Sequence, residues 1–322
     1  MEKSVNIIGI GRHAKKNIYP CLQHLGVHIE SVTTHSKEKA LSELEHLGIH
    51  ACVYDNVDEM LKESKSDYVI IIVPMEEAYS LVMKCIKAGK RVFVEKPCGL
   101  ILEQAKDIYD CANEMNTPVF VGFMKRYAPC YRKMKEYIKQ GDLGYVRSFE
   151  AHFNVDASAF CETDSDFMYA VAIHYLDLLR TLFGDIKHIT ALKNEFGNGV
   201  SYTLMLTMDD GIIGTLSLEN RAPWTRESEG ITCTLDGGFI QSIELNELVV
   251  HKNNFIEDNW QTLSEEDRVY RENYTPASGT LKDLYLRGFM QELIEFFKDD
   301  NTINDDNVKI TSVIENILKQ LK

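Results

Sequence analysis

The chain has 322 residues, enough for two domains with separate cores. Hydrophobic residues make up 44% and charged residues 26%, the composition of an ordinary globular protein and not of a disordered one. The formal net charge of −14 argues against a nucleic-acid partner, because a phosphate backbone needs a basic stripe; Lys133 and Lys135 read as the solvated face of one helix.

No run approaches the roughly 20 apolar residues of a membrane span. The first residues lead straight into a strand and lack the features of a signal peptide, so a cytoplasmic protein with no membrane partner is expected. Eight cysteines stand singly, without a CxxC pair or a zinc-spaced Cys/His cluster, and read as free thiols with no metal.

Residues 5–10 form a short apolar strand running into glycines, and residues 14–25 have helical spacing. Strands are expected at 28–33, 68–73, 91–94 and 119–122, with helices at 37–47, 78–88 and 102–115 between them. Strands alternating with helices of this length mean βαβ units, hence a doubly wound parallel sheet over residues 1–122. From residue 123 the pattern changes. A helix at 128–140 precedes a strand at 146–153, and a helical segment follows at about 167–183. Six strands then come in succession, at 186–196, 201–208, 212–219, 230–235, 239–243 and 247–251. Asp209-Asp210-Gly211 and Asp236-Gly237-Gly238 suit hairpin turns between neighbours. Residues 123–322 are therefore expected to form an α+β domain around a mostly antiparallel open sheet, with one face free for a partner subunit. Residues 253–278 read as a polar loop. Two helices, at about 281–299 and 306–320, close the chain, and they could pack back on the first domain.

Ile7-Ile8-Gly9-Ile10-Gly11-Arg12-His13-Ala14 is a strand, a tight turn and a helix start with G-x-G-x-x-A spacing. Gly9 permits the turn, Gly11 lets the backbone approach a pyrophosphate, and Ala14 lets the helix pack close to the strand. The backbone N–H groups around Arg12 and His13 and the positive end of the helix then face the phosphates. An acidic residue about 20 positions further on would bond the ribose 2′-hydroxyl. That place is occupied by Thr34-His35-Ser36-Lys37, without a carboxylate. Hydroxyls and a lysine would accept a 2′-phosphate, which favours NADP over NAD; alternatively these residues cap a helix and select neither.

Val92-Phe93-Val94-Glu95-Lys96-Pro97, a buried strand ending in Glu-Lys-Pro, carries the most specific signal. Together with the glycine turn it resembles the Gfo/Idh/MocA oxidoreductase family. Further matching stretches are Val73-Pro74, Gly122-Phe123-Met124-Lys125-Arg126-Tyr127 with Pro129, Gly141-Asp142-Leu143-Gly144, and Ile173-His174-Tyr175-Leu176-Asp177. The resemblance spans almost the whole chain. It implies an NAD(P)-dependent enzyme acting on the CH–OH group, or the carbonyl, of a sugar, nucleotide sugar or polyol. It implies cofactor contacts from Val73, Pro74, Glu95, Lys96 and Pro97, and an unusual geometry at Lys96–Pro97, with a cis bond as one candidate. Lys96 would lie beside the nicotinamide and stabilise a developing alkoxide. His174 would exchange the proton, with Asp177 on the same helix face to orient it. Arg126, Tyr127 and Tyr169 would be substrate contacts, and a homodimer or homotetramer would form through the open sheet.

The family pattern breaks at two places. Sugar and polyol dehydrogenases of the family carry an aspartate four residues before the histidine, where this chain has Ala170. Many relatives carry a histidine where this chain has Ala78. These departures argue against inositol dehydrogenase itself. They leave a different sugar substrate, a tyrosine (Tyr127, Tyr169 or Tyr175) that shares the proton work, or lost catalysis. Two other functions stay open: a non-catalytic dinucleotide-binding regulator, and a reductase of a non-sugar carbonyl or imine.

Overall fold

The computed structural model describes residues 3–197, 199–221, 227–253, 267–273, 281–298 and 302–322. Contacts divide the chain into two compact units, Met1–Phe123 with Phe289–Ser312, and Met124–Gly288 with Val313–Lys322.

The first unit is built on six parallel strands: β1 (Ser4–Ile8), β2 (His28–Thr33), β3 (Cys52–Tyr54), β4 (Tyr68–Ile71), β5 (Arg91–Glu95) and β6 (Val119–Gly122). Their order in the sheet is β3-β2-β1-β4-β5-β6. The chain thus winds outward from β1 in one direction through β3, then returns and winds the other way from β4. Ligands of such sheets bind beyond the carboxyl ends of the strands on either side of that reversal. The strands read as continuous apolar runs because helices cover both faces, and Ile7, Val32, Val69, Ile70, Val92 and Phe93 are all fully buried. Phe296, on helix Phe289–Phe296, packs edge-on against Phe93 and Tyr68, each at 5.6 Å between ring centroids.

The second unit holds an eight-stranded sheet of β7 (Val146–Asn154), β8 (Ile186–Phe196), β9 (Gly199–Met208), β10 (Ile213–Glu219), β11 (Ser228–Leu235), β12 (Gly238–Ile243), β13 (Glu247–Lys252) and β14 (Asp267–Arg271). The order is β14-β13-β12-β11-β7-β10-β9-β8, and only β7 and β10 pair in parallel. Both expected hairpin turns form. Side chains alternate across the sheet: Phe149, Ala151 and Phe153 are buried, while Glu150 and His152 point the other way. Helix Ile173–Phe183 covers the apolar face, with Tyr175 stacked on Phe153 at 4.8 Å and Phe183 on Phe149 at 4.5 Å. Leu192, Met205 and Ile213 stand exposed on the opposite face.

Several elements depart from the sequence reading. The first helix opens with a π-helical turn, Ala14–Ile18, before an α-helical one, Tyr19–His24. The short strand β3 and helix Val57–Glu63 lie where no element is expected. The segment read as a loop contains β14, whose sequence Asp-Arg-Val-Tyr-Arg is polar because it sits at the sheet edge. Residues 254–266 and 274–278 of that segment lie outside the described residues. The helix expected at 281–299 divides at Gly288, where φ is +97° and an added Cβ would overlap the Met124 carbonyl. Among the described residues, no helix is long and apolar enough to cross a membrane, and no group of His, Cys, Asp and Glu could hold a metal ion. All eight cysteines are free thiols.

Candidate functional site

The turn after β1 closes on its neighbours through the backbone. Gly9 N–H donates to the Thr33 carbonyl at 2.9 Å, and Ile72 N–H donates to the Ile8 carbonyl at 2.8 Å. Gly9 has φ +109°, and a Cβ there would overlap the Ile72 carbonyl. Only glycine fits. A Cβ added at Gly11 would meet no protein atom within 4 Å. Gly11 therefore faces open space of the kind a phosphate occupies when backbone approaches it closely. Ala14 is fully buried, as close packing of helix on strand requires. Arg12 and His13 stand exposed on the first helical turn.

A cavity of about 300 Å³ opens beyond the carboxyl ends of β1, β2, β3 and β4. Gly9 and Gly11 form its floor, with Val57, Val73, Pro74 and Leu81 among its walls. Thr34 and His35, expected from sequence, line it; Ser36 and Lys37 do not. The Ser36 hydroxyl accepts from Lys39 N–H at 3.4 Å, so this residue caps helix Lys37–His46, the alternative weighed above. Lys39, Asp55 and Glu77 line the cavity without having been singled out. The periodicity of an amphipathic helix hid Lys39 among its solvent-facing lysines. Glycine turn, switch-point position and apolar walls together fit a dinucleotide.

The Lys96–Pro97 bond at the end of β5 is cis. Glu95 is turned back toward the glycine turn, where its Oε1 lies 3.0 Å from His13 Nε2. His13 Nδ1 in turn lies 3.0 Å from Asn17 Nδ2, inside the π-helical turn. Glu95 and His13 thus tie the end of β5 to the helix that follows the glycine turn.

In the second unit a second π-helical turn, Met168–Ala172, immediately precedes His174 on helix Ile173–Phe183. Such turns recur at functional sites, where the extra residue re-aims side chains. Tyr169 lies within it, almost fully buried, and its hydroxyl has no hydrogen-bond partner among the described residues. Burial, reinforced by the Glu315 charge, pushes its phenol up to about 12. Ala170 and His174 are half-buried.

Three residues weighed from the sequence, Asp177, Arg126 and Tyr175, are held by partners within the fold. Asp177 is read as the orienter of His174, but both of its oxygens accept from Arg126, whose Nε donates at 2.6 Å and whose Nη2 donates to the second oxygen. Arg126 is read as a substrate contact, yet its guanidinium is held by this bidentate pair. A carboxylate with 1% side-chain exposure requires a partner, and the planar fork of arginine supplies the best one. Tyr175, read as an alternative proton carrier, is fully buried; its hydroxyl donates to Glu229 Oε2 at 3.0 Å. Burial, then the Glu229 charge, raises it well above an ordinary phenol.

Sequence reasoning also missed a buried network beside this pair. Lys125 Nζ donates to both oxygens of Glu229, at 2.8 and 2.7 Å, and lies 4.4 Å from the Phe153 ring centroid. Tyr131 adds a third donor to Glu229 at 2.9 Å. Consecutive residues of the 3-10 turn Met124–Tyr127 are thereby pinned, Lys125 to β11 and Arg126 to helix Ile173–Phe183. Tyr127, the next residue, is held half-buried.

Residues 3–123 match the model of the GFO/IDH/MocA oxidoreductase family, NAD-binding Rossmann fold, and residues 131–238 match the GFO/IDH/MocA C-terminal domain. The scyllo-inositol 2-dehydrogenase (NAD(+)) of Bacillus subtilis is 28% identical over 178 residues, 52% of each chain. The inositol 2-dehydrogenase of Klebsiella pneumoniae is 29% identical over 218 residues, 66% of this chain and 63% of that one. The first curated relatives are matched over only about half of their length, 49% and 52%. Among solved structures, a dehydrogenase from Chromobacterium violaceum superposes with a TM-score of 0.83 at 18% identity, covering 98% of this chain and 94% of that one. Levoglucosan dehydrogenase in complex with NADH and levoglucosan gives 0.81 at 18% identity, covering 99% and 97%. At such identities the likeness establishes the fold.

Proposed function

Because the chain belongs to the GFO/IDH/MocA oxidoreductase family, we propose that it is an NAD(P)-dependent dehydrogenase or reductase acting on a CH–OH group, or the corresponding carbonyl, of a carbohydrate-derived molecule. The observation that carries this reading is the turn at Gly9 and Gly11, where the first residue tolerates no side chain and the second faces the open cavity. The relatives support the substrate class by their names, two of which are inositol dehydrogenases. Residues 1–122 serve the cofactor and 123–322 the substrate.

When bound, the nicotinamide supplies or accepts the hydride. The ammonium of Lys96 polarises the substrate oxygen and stabilises charge that develops on it. The imidazole of His174 holds or releases the hydroxyl proton. Tyr127 and Tyr169 contact the substrate; Asp177 and Arg126 act through each other to hold the segment before Tyr127. Ala170 leaves the helix one carboxylate short of the polyol dehydrogenases, which favours a substrate lacking the hydroxyl gripped there. NADP is the preferred cofactor, since Thr34-His35-Ser36-Lys37 after β2 carry no carboxylate. Subunits associate through the open face of the eight-stranded sheet, where Leu192, Met205 and Ile213 are exposed.

Thermal melts with NADPH and NADH test the first step. A cofactor at 100 times its Kd adds about 2.7 kcal/mol of stability. Steady-state assays on a panel of sugar and polyol substrates test the second: Lys96→Ala and His174→Ala should each lower kcat by roughly 10²- to 10⁴-fold. Near wild-type turnover in either variant refutes the assigned roles.

A further inference from the structure

The antiparallel hairpin of β13 and β14 carries charge on both faces, and the two faces differ. On one, opposite charges meet across the strands: Arg271 Nε lies 2.7 Å from Glu247 Oε2, and His251 Nδ1 lies 2.8 Å from Asp267 Oδ1. Alternation places Leu248, Val250 and Lys252 of β13 on the other face, with Tyr270 opposite Leu248 and Arg268 opposite Val250. Lys252 and Arg268 are therefore diagonal neighbours, two cations on one face. Neither forms an ion pair among the described residues.

Helix Pro129–Gln140 packs against β12 and β13, and its Tyr137 hydroxyl bonds the Tyr270 hydroxyl, so the helix covers the face that carries both cations. Arg268 Nη1 donates to the same Tyr137 oxygen at 3.2 Å. Burial would raise the Tyr137 phenol, but its hydrogen bonds with Tyr270 and Arg268 and the charges of Arg268 and Lys133 outweigh it and hold the phenol below an ordinary tyrosine. Lys133 is itself engaged by Glu136 at 2.9 Å. Gly141, with φ +75°, ends the helix, and Asp142 and Leu143 follow it. A cavity of about 630 Å³ opens here, with the buried Leu143 and Val250 in its floor and Tyr137, Asp142, Lys252 and Arg268 around it. Asp142 likewise forms no ion pair among the described residues.

We propose that this cavity binds a small phosphorylated polyol, with Lys252 and Arg268 holding the phosphate and the Asp142 carboxylate accepting hydrogen bonds from the hydroxyl groups. A phosphate dianion matches the two positive charges and relieves their mutual repulsion, and the planar guanidinium offers it two parallel donors. Tyr137 holds that guanidinium in place. The volume lies within the range of small-molecule sites. The chain as a whole carries a net charge of −14, so only a local pair of cations can draw an anion to it. Every residue around this cavity belongs to the second unit, and every residue lining the dinucleotide cavity belongs to the first. The site is therefore a separate one, and the inference does not rest on the dinucleotide reading.

Calorimetric titration of the full chain at low salt tests this, with glucose 6-phosphate, ribose 5-phosphate and glycerol 3-phosphate as ligands and inorganic phosphate and glucose as controls. At least one of the three should bind with a Kd of about 1 mM or tighter, and about tenfold better than either control. Lys252→Ala and Arg268→Ala should each weaken that ligand about tenfold. Asp142→Ala should weaken it severalfold yet tighten inorganic phosphate, because it removes a hydroxyl acceptor and a repelling charge together. All three residues are exposed, and unchanged circular dichroism should accompany each substitution. The proposal is overturned if none of the three ligands binds, if inorganic phosphate binds as tightly as they do, or if both cation variants leave binding within twofold of wild type. None of these results touches the dinucleotide reading, which is tested by its own ligands.

Discussion

Replacing Lys125 with methionine removes one charge from the buried network and leaves its shape nearly intact. Glu229, with 4% side-chain exposure, would then keep two tyrosine donors but no cation. Breaking one partner of a buried ion pair costs about 3–5 kcal/mol, because the remaining charge is stranded in a medium that cannot solvate it. The ammonium also lies over the Phe153 ring, which adds about 1 kcal/mol to the loss. For a unit of this size each kcal/mol is worth roughly 2–4 °C, so Lys125→Met should melt on the order of 10 °C below wild type. The double variant Lys125→Met/Glu229→Gln removes both charges and leaves an amide oxygen for a tyrosine hydroxyl. It should recover most of the stability, giving a coupling energy of at least about 2 kcal/mol in the double-mutant cycle. Differential scanning calorimetry of the four proteins measures this. A loss below about 1 kcal/mol in Lys125→Met, or simple additivity in the double variant, would refute the view that this pair is a mutually dependent buried unit.

Two other substitutions separate turn geometry from chemistry. Gly9→Ala places a Cβ against the Ile72 carbonyl at φ +109°, so it should abolish the cofactor-induced rise in melting temperature and lower stability by more than about 1 kcal/mol, both read from thermal melts. Tyr169→Phe removes a buried hydroxyl that lacks a partner among the described residues, so the variant should be as stable as wild type or up to about 1 kcal/mol more stable at neutral pH. Its pH dependence carries a sign. The folded-state phenol is raised from 10.0 to about 12, so the contribution of Tyr169 is complete below pH 10 and disappears as pH climbs toward 12. Urea melts across that window should show a loss of about 2 kcal/mol in wild type that the phenylalanine variant lacks.

The alternation of strand and helix over the first third was legible because the strands, covered on both faces, read as short continuous apolar runs, while the helices carry a period of 3.6. The same holds for the glycine turn, where a tight bend and a close approach to phosphate both demand a missing side chain. The polar edge strand β14 escaped because nothing in Asp-Arg-Val-Tyr-Arg alternates strongly; its partner β13 supplies the hydrogen bonds that make it a strand. Strand β3, only three residues long, escaped because that length is too short to show a period.

Local pattern, then, determined the fold class, the two sheets and the position of the glycine turn. Pairing between distant residues was decided only by the tertiary structure. Lys125 meets Glu229 across 104 residues, and Arg126 meets Asp177 across 51. Asp55 reaches the place beside Thr34 only because β3 lies next to β2 in register. A charged side chain looks the same in sequence whether it faces water, a ligand or a buried partner. Which of these it meets depends on the elements brought against it, and burial then makes an unpartnered charge too costly to keep.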